Sequence, residues 1–205
     1  MSTPTATGLL FIVCGPSGVG KSTLGKLLRE RRAQLKLSVS TTTRAPRAGE
    51  QDGVDYHFVD RDTFIARRDA GEFVEWAEVH GNLYGTTRAT IHAAWEAGHD
   101  VFFDIDYQGA QQLQAAFPEH TASVLVIPPS MEALERRIRD RGTEDEATIA
   151  RRLAAARHEL EQFELFDYII ANKLLNTTTN ELATIYDASR RRTSLRRGML
   201  LDLLG

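Results

Sequence analysis

Apolar residues fall along the chain in short dense runs, not in alternating pairs. Leu9–Cys14, Leu37–Ser40, Val101–Ile105, Val124–Ile127 and Tyr168–Ala171 are each four to six residues long. That length suits strands, and the lack of polar alternation suits strands buried on both faces of a parallel sheet. Helical spacing lies between them. Lys21–Arg32 sets Leu24, Leu27 and Leu28 on one face, and Ala110–Ala116 continues from a turn at Gly109. Met131–Arg139 follows Pro128-Pro129-Ser130, with Ser130 as N-cap and Glu132 and Glu135 suited to the positive end of a helix. Strands alternating with helices predict an α/β fold, a parallel sheet flanked by helices on right-handed crossovers.

Two stretches break this rhythm. Residues 41–86 are rich in Thr, Arg, Gly and aromatics, with short alternating pieces at Tyr56–Val59 and Phe73–Val79. They read as a small mixed-strand insertion. Residues 136–157 are dense in arginine around Gly142 and Glu144-Asp145-Glu146. They read as two helices joined by a turn, largely solvent-facing: either a solvated hairpin or a mobile lid. The last stretch, from Arg190 to Gly205, is basic and then apolar. It suits a helix end packed on the domain, a self-association element or a weak membrane-surface segment.

Composition narrows the function classes. The 205 residues suit one domain with small insertions. A formal charge of -3 gives no reason to expect nucleic acid or an anionic membrane as partner. Cys14 is the only cysteine, so neither an intrachain disulfide nor a Cys-rich metal site is possible. The start of the chain lacks the basic segment of a secretion signal, and its longest apolar run is far too short to span a bilayer, so a cytoplasmic protein is expected. The six histidines form no ligand-spaced cluster.

Gly15-Pro-Ser-Gly-Val-Gly-Lys21-Ser22 matches the phosphate-loop pattern G-x-x-x-x-G-K-[ST] in full, after an apolar strand and at the opening of a helix. Glycines let successive backbone N–H groups turn inward as an anion nest, and the helix N-terminus adds partial positive charge. The candidate nucleotide-phosphate set is Gly15, Pro16, Ser17, Gly18, Val19, Gly20, Lys21, Ser22 and Thr23. Lys21 suits the β- and γ-phosphates of ATP, and the Ser22 hydroxyl suits Mg²⁺. Asp104 ends the apolar run Val101–Phe103 at the carboxyl edge of the expected sheet, where it can act on Mg²⁺ through water or orient Lys21.

Such a loop does not name the phosphoryl acceptor. In Ser38-Val-Ser40-Thr-Thr-Thr-Arg44-Ala-Pro46-Arg47, two arginines flank a stiffening proline, and two guanidinium forks suit a phosphate monoester. Taken with the D-Y-x-F around Tyr56, the E-W-A of Glu75-Trp76-Ala77, the Y-G-T of Tyr84-Gly85-Thr86, the D-I-D-x-Q-G from Asp104 and the R-G-T-E from Arg141, the chain resembles guanylate kinase. That nucleoside monophosphate kinase makes GDP from GMP with ATP. The matching motifs run through roughly residues 8–172.

The resemblance implies a P-loop NTPase-type core, about 8–40, 87–135 and 158–190. It further implies a GMP-binding insertion at 41–86, a lid at 136–157 and a C-terminal tail. ATP and GMP, with dGMP, would be the small-molecule partners, Mg²⁺ the cofactor, and a homo-oligomer remains open. Arg44, Arg47, Tyr56 and Tyr84 would hold the GMP phosphate, and Ser40, Glu75, Thr86 and Asp106 would read guanine. Arg137, Arg141 and Arg152 would close on the transferring phosphoryl group, with Arg137 also available to stack on adenine. Asn172 would lie on the ATP side. Thr86 stands where some members have serine, Tyr107 where tryptophan or methionine occurs, and Lys173 where an acid is common.

Physical chemistry supports the guanine assignment separately. Guanine presents two adjacent donors, and a carboxylate offers two acceptors in a matching fork. Adenine turns a lone pair to the same place, so Glu75 would repel AMP. No essential general base is evident, and none is required where the acceptor oxygen is already ionised. Two other readings stay in view: a silent binding module, against which the intact Lys21 argues, and a sugar-phosphate kinase, against which Ser40 and Glu75 argue.

Overall fold

A computed structural model describes residues 8–79, 81–140 and 145–205. Its larger sheet has five parallel strands in the order β2-β7-β1-β8-β9: β1 Leu10–Cys14, β2 Leu35–Leu37, β7 Asp100–Asp104, β8 Thr121–Ile127 and β9 Tyr168–Ala171. Central β1 pairs with β7 on one side and β8 on the other. The chain steps from β1 outward to β2, returns at β7 and then crosses to β8. The strand order therefore reverses beside β1, and such a reversal opens a crevice at the carboxyl ends of the strands.

The dense apolar runs have a direct cause. With a side-chain period of two, Leu9, Phe11 and Val13 enter one buried cluster with Leu24, Leu28, Leu182 and Tyr186. Leu10, Ile12 and Cys14 enter the other, with Ile91, Trp95, Phe103 and Leu113. The first face is covered by α1 (Lys21–Arg31) and α7 (Leu175–Ser189), the second by α3 (Arg88–Glu96) and α4 (Tyr107–Ala116). Both faces of β1 are dry, so neither set of positions can be polar.

Two strand boundaries differ from expectation. The run Leu37–Ser40 is not a strand: β2 ends at Leu37, and only the Ser38 N–H still reaches Phe102 O, at 2.9 Å. Leu35 supplies the buried side chain of this edge strand, while Leu37 is exposed. β8 starts earlier than its apolar run, at Thr121, because polar Ser123 is fully buried yet satisfied. Its N–H donates to Asp167 Oδ2 at 2.8 Å, and its hydroxyl accepts from Gln114 Nε2 at 2.9 Å.

The insertion folds as a mixed four-stranded sheet in the order β4-β3-β6-β5. Its strands are β3 Thr41–Thr42, β4 His57–Phe58, β5 Phe73–Val79 and β6 Asn82–Thr87, with α2 (Arg61–Asp69) between β4 and β5 in the chain. The arginine-rich stretch forms α5 (Met131–Arg139) and α6 (Glu146–Glu161). These helices are less solvent-facing than the charge pattern suggests, because Leu134, Ile138, Ile149 and Ala156 form a separate buried cluster. Arg139 ties the hairpin together through Glu146 of α6 at 2.5 Å, and pairs with Glu135 of its own helix at 2.8 Å. The tail forms α8 (Thr193–Leu204), in which no residue is buried and Met199, Leu200, Leu201, Leu203 and Leu204 are exposed. No helix among the described residues is long and apolar enough to cross a membrane.

Candidate active site

The phosphate loop connects β1 to α1 at the carboxyl end of the central strand. Gly15, Gly18 and Gly20 hold φ of 138°, 90° and 104°, a region costly for any residue with a Cβ. Space excludes a side chain as well. A Cβ on Gly15 would lie 2.2 Å from Val126 O, and one on Gly20 2.7 Å from Asn172 Nδ2. Val19 buries its side chain in the core and offers its carbonyl to Asn172 Nδ2 at 2.8 Å and Arg137 Nη1 at 3.2 Å. Arg137 also donates to Asn172 O at 3.0 Å. Asn172 and Arg137 thus brace the loop, with Asn172 itself buried.

Lys21 and Ser22 open α1 and face the end of β7. The Lys21 ammonium donates to Gly15 O and lies 3.9 Å from Asp104 Oδ1. The Ser22 hydroxyl donates to Asp104 Oδ2 at 2.8 Å. Pro16, Ser17 and Thr23 line the same opening.

Across the cleft stand the residues of the insertion. Arg44 follows β3, and its Nη2 donates to both Glu50 oxygens, at 2.8 and 2.9 Å. The Tyr56 ring lies 5.3 Å from the guanidinium carbon, and Tyr84 stands 6.0 Å from Tyr56. Glu50 also accepts from the Arg47 N–H at 2.8 Å, while the Arg47 side chain is exposed at the rim. The Arg44 guanidinium and the Arg47 amide hold the Glu50 carboxyl below its ordinary range. Glu50 was not foreseen, and its three-residue spacing from Arg47 was the available signal.

Deeper in the cleft, β5 and β6 pair Glu75 with Thr86. Glu75 is 4% exposed and Thr86 fully buried. The Thr86 hydroxyl lies 3.2 Å from Ser38 Oγ and 3.4 Å from Ser40 Oγ. Asp106 caps α4 by accepting from the Gly109 N–H at 3.0 Å. Gly109 lets the two approach closely, since a Cβ there would stand 3.2 Å from Glu75 Oε2. Burial raises the Glu75 carboxyl to about 7, and Asp106 adds to the rise while bonds from Thr86 oppose it. Ser38 is a second residue that sequence reasoning left without a role.

One cleft of about 590 Å³ joins the two halves, lined by Gly15, Lys21 and Ser22 on one wall and by Ser40, Arg44, Arg47, Tyr56, Glu75 and Tyr84 on the other. Asp104, Asp106 and Glu159 form part of its lining. Arg137 and Arg152 lie on α5 and α6, while Arg141 falls outside the described residues.

A phosphate loop at the reversal of a parallel sheet, facing an arginine–tyrosine pocket and a buried carboxylate, defines a P-loop phosphotransferase with room for a donor and an acceptor. The comparisons with known proteins make the class specific. The guanylate kinase family pattern matches residues 8–189. A guanylate kinase of Aromatoleum aromaticum is 49% identical over 185 residues, covering 90% of each chain. One from Bordetella pertussis is 46% identical over 208 residues, covering 100% of this chain and 95% of its own. The crystal structure of guanylate kinase from Anaplasma phagocytophilum superposes with a TM-score of 0.74 at 34% identity, covering 97% of this chain and 95% of that one. The chain belongs to the guanylate kinase family, whose members phosphorylate GMP to GDP with ATP.

Proposed function

We propose that this chain transfers the γ-phosphoryl group of ATP to GMP, and to dGMP, with the residues around the cleft dividing the work as follows. The observation that carries this reading is the single cleft in which the phosphate loop faces buried Glu75 and the Arg44 pocket. The backbone N–H groups of the loop and Lys21 hold the donor phosphates. Arg44, Arg47, Tyr56 and Tyr84 hold the acceptor phosphate, which displaces or shares the Glu50 contact to Arg44. Glu75 accepts from guanine N1–H and the exocyclic amine, with Ser40, Thr86 and Asp106 beside it.

Ser22 and Asp104 present a hydroxyl and a carboxylate 2.8 Å apart at the loop, a hard-oxygen pair that fits Mg²⁺. Among the described residues no group of three His, Cys, Asp or Glu is placed to hold a metal. Ser22 and Asp104 would hold such an ion, which would supply neutralisation of phosphate charge. Arg137, Arg141 and Arg152 bring further positive charge from the lid as it closes, and closure keeps water from the phosphoryl group. Arg137 reaches the reaction through the loop it braces.

The test is ADP formation by the purified chain with ATP and Mg²⁺ against GMP, dGMP, AMP, CMP and UMP. GMP and dGMP are expected to turn over and the other three to fail. Comparable rates for AMP and GMP would remove Glu75 as the reader, and no turnover of any acceptor would favour a silent binding module.

A further inference from the structure

β5 carries Glu75, yet it is an edge strand of the smaller sheet. A strand in that position has a row of backbone groups with no partner in its own sheet. At Trp76, the residue after Glu75, the partner comes from α4. The Trp76 N–H donates to Gln112 Oε1 at 3.1 Å, and Gln112 Nε2 donates to Trp76 O at 3.1 Å. The N–H and C=O of one strand residue point to the same side, so a single carboxamide can bond both, as a neighbouring strand would. Nε2 also donates to Gln108 O at 3.3 Å, one turn back on α4. These partners fix the orientation of the amide, because its oxygen must face the Trp76 N–H.

The same part of α4 meets Glu75 itself. Gly109 lies three residues before Gln112, hence beside it on the helix surface. A Cβ on Gly109 would stand 3.2 Å from Glu75 Oε2, so the carboxylate rests close to bare backbone in the first turn. Asp106 caps that turn. Val74, on the other side of Glu75 in the strand, packs against the apolar cluster that contains Ala110 and Leu113. Glu75 is therefore flanked by an apolar contact at Val74 and a two-point polar contact at Trp76. Gln112 is not among the residues that line the cleft, whereas Glu75 and Ala77 are. Whatever Gln112 does for the bound nucleotide, it does through β5.

We propose that Gln112 is a positioning residue for the acceptor base: by joining the Trp76 backbone to α4, it sets how far the Glu75 carboxylate reaches into the cleft. The proposal rests on the reading of Glu75 as the group that accepts from guanine. A carboxylate fork must meet two donors at once, so its placement counts for more than that of a single contact. With the Gln112 amide gone, β5 keeps its pairing with β6 but loses its tie to α4 at the residue beside Glu75. Guanine then meets a carboxylate whose distance from Gly109 and Asp106 is no longer fixed. The phosphate loop, on the opposite wall, does not depend on this tie.

Steady-state ADP formation by the full chain tests this in four proteins: the native chain, Gln112→Ala, Glu75→Gln and the double variant. GMP is varied at saturating ATP, then ATP at saturating GMP. Loss of the paired bonds at Trp76 is worth about tenfold in an equilibrium. Gln112→Ala is therefore expected to raise KM for GMP about tenfold, with kcat and KM for ATP within about twofold of native, as loss of acceptor binding alone requires. In the Glu75→Gln background the same change should raise KM for GMP by less than about twofold, because the two residues act as one unit. A rise of about tenfold in that background too would mean that Gln112 acts elsewhere and would overturn the proposal, while the role of Glu75 stood. An unchanged KM for GMP in Gln112→Ala, or an equal rise in KM for ATP, also overturns it. Native GMP kinetics in Glu75→Gln would remove the reading of Glu75, and this one with it. If the Ala variant does not fold, Gln112→Met carries the same test, since it keeps the length of the side chain and loses both bonds.

Discussion

Replacing Glu75 with Gln should trade function for stability, and both sides can be worked from the structure. Glu75 is 4% exposed, and burial raises its carboxyl from an ordinary 4.5 to about 7. The native state therefore holds this proton more tightly than the unfolded chain. The cost of keeping the carboxylate charged is absent well below pH 4.5, grows as pH rises from there to 7, and is complete above it. A shift of that size corresponds to about 3 kcal/mol at pH 8. Glutamine has no charge to desolvate, and its amide oxygen can still accept from Thr86. The variant should gain about 1–3 kcal/mol at pH 8 and less than about 1 kcal/mol at pH 5. Urea unfolding of both proteins at the two pH values measures this. In the same variant kcat/KM for GMP should fall about 10²-fold, since an amide sets one donor against the donor pair of guanine. For the native enzyme kcat/KM for GMP should rise with pH through about 7, because that ratio reports ionisation of the free enzyme. GMP's own phosphate ionises near pH 6, but both proteins share that step, so the difference between their profiles isolates Glu75. Equal stabilities at pH 8, or unchanged GMP kinetics in the variant, would refute the reasoning.

Other perturbations separate the remaining parts. Lys21→Ala should lower kcat by about 10²-fold or more in steady-state ADP formation, since it removes charge that stabilises the transition state. Gly15→Ala should abolish ATP binding in titration, because its Cβ would meet Val126 O at 2.2 Å in a backbone conformation that disfavours side chains. Glu50→Ala should raise KM for GMP about tenfold with KM for ATP unchanged, as Arg44 loses the partner that orients it. Asp100→Ala should destabilise the fold by about 3–5 kcal/mol in urea titration. It strands the Leu9 N–H, the Tyr186 hydroxyl and the Arg190 guanidinium, which converge on one buried carboxylate.

The phosphate loop and most of the strand and helix segments were legible in the residues because their causes are local. Glycines at 15, 18 and 20 answer backbone conformations, and the apolar run Leu9–Cys14 answers burial on both faces of one strand. Ser130 as the cap of α5 was equally local, and its hydroxyl accepts from the Ala133 N–H at 3.1 Å. The edge strand was misplaced because Leu37 is apolar in composition but exposed in fact. The acceptor residues became legible only together, as spaced motifs resembling a known family.

Long-range pairing decided the rest. Arg44 could be seen as a phosphate ligand, but not that Glu50 pairs with its guanidinium. Glu75 could be named, but the rise of its carboxyl depends on β6 and on the start of α4 closing over it. Gln112 was invisible, one glutamine among several on α4, until the fold set its amide on the Trp76 backbone. Local sequence sets backbone conformation and hydrophobic period. Charge state and competition between charges depend on which distant groups share a dry space, and only tertiary packing determines that.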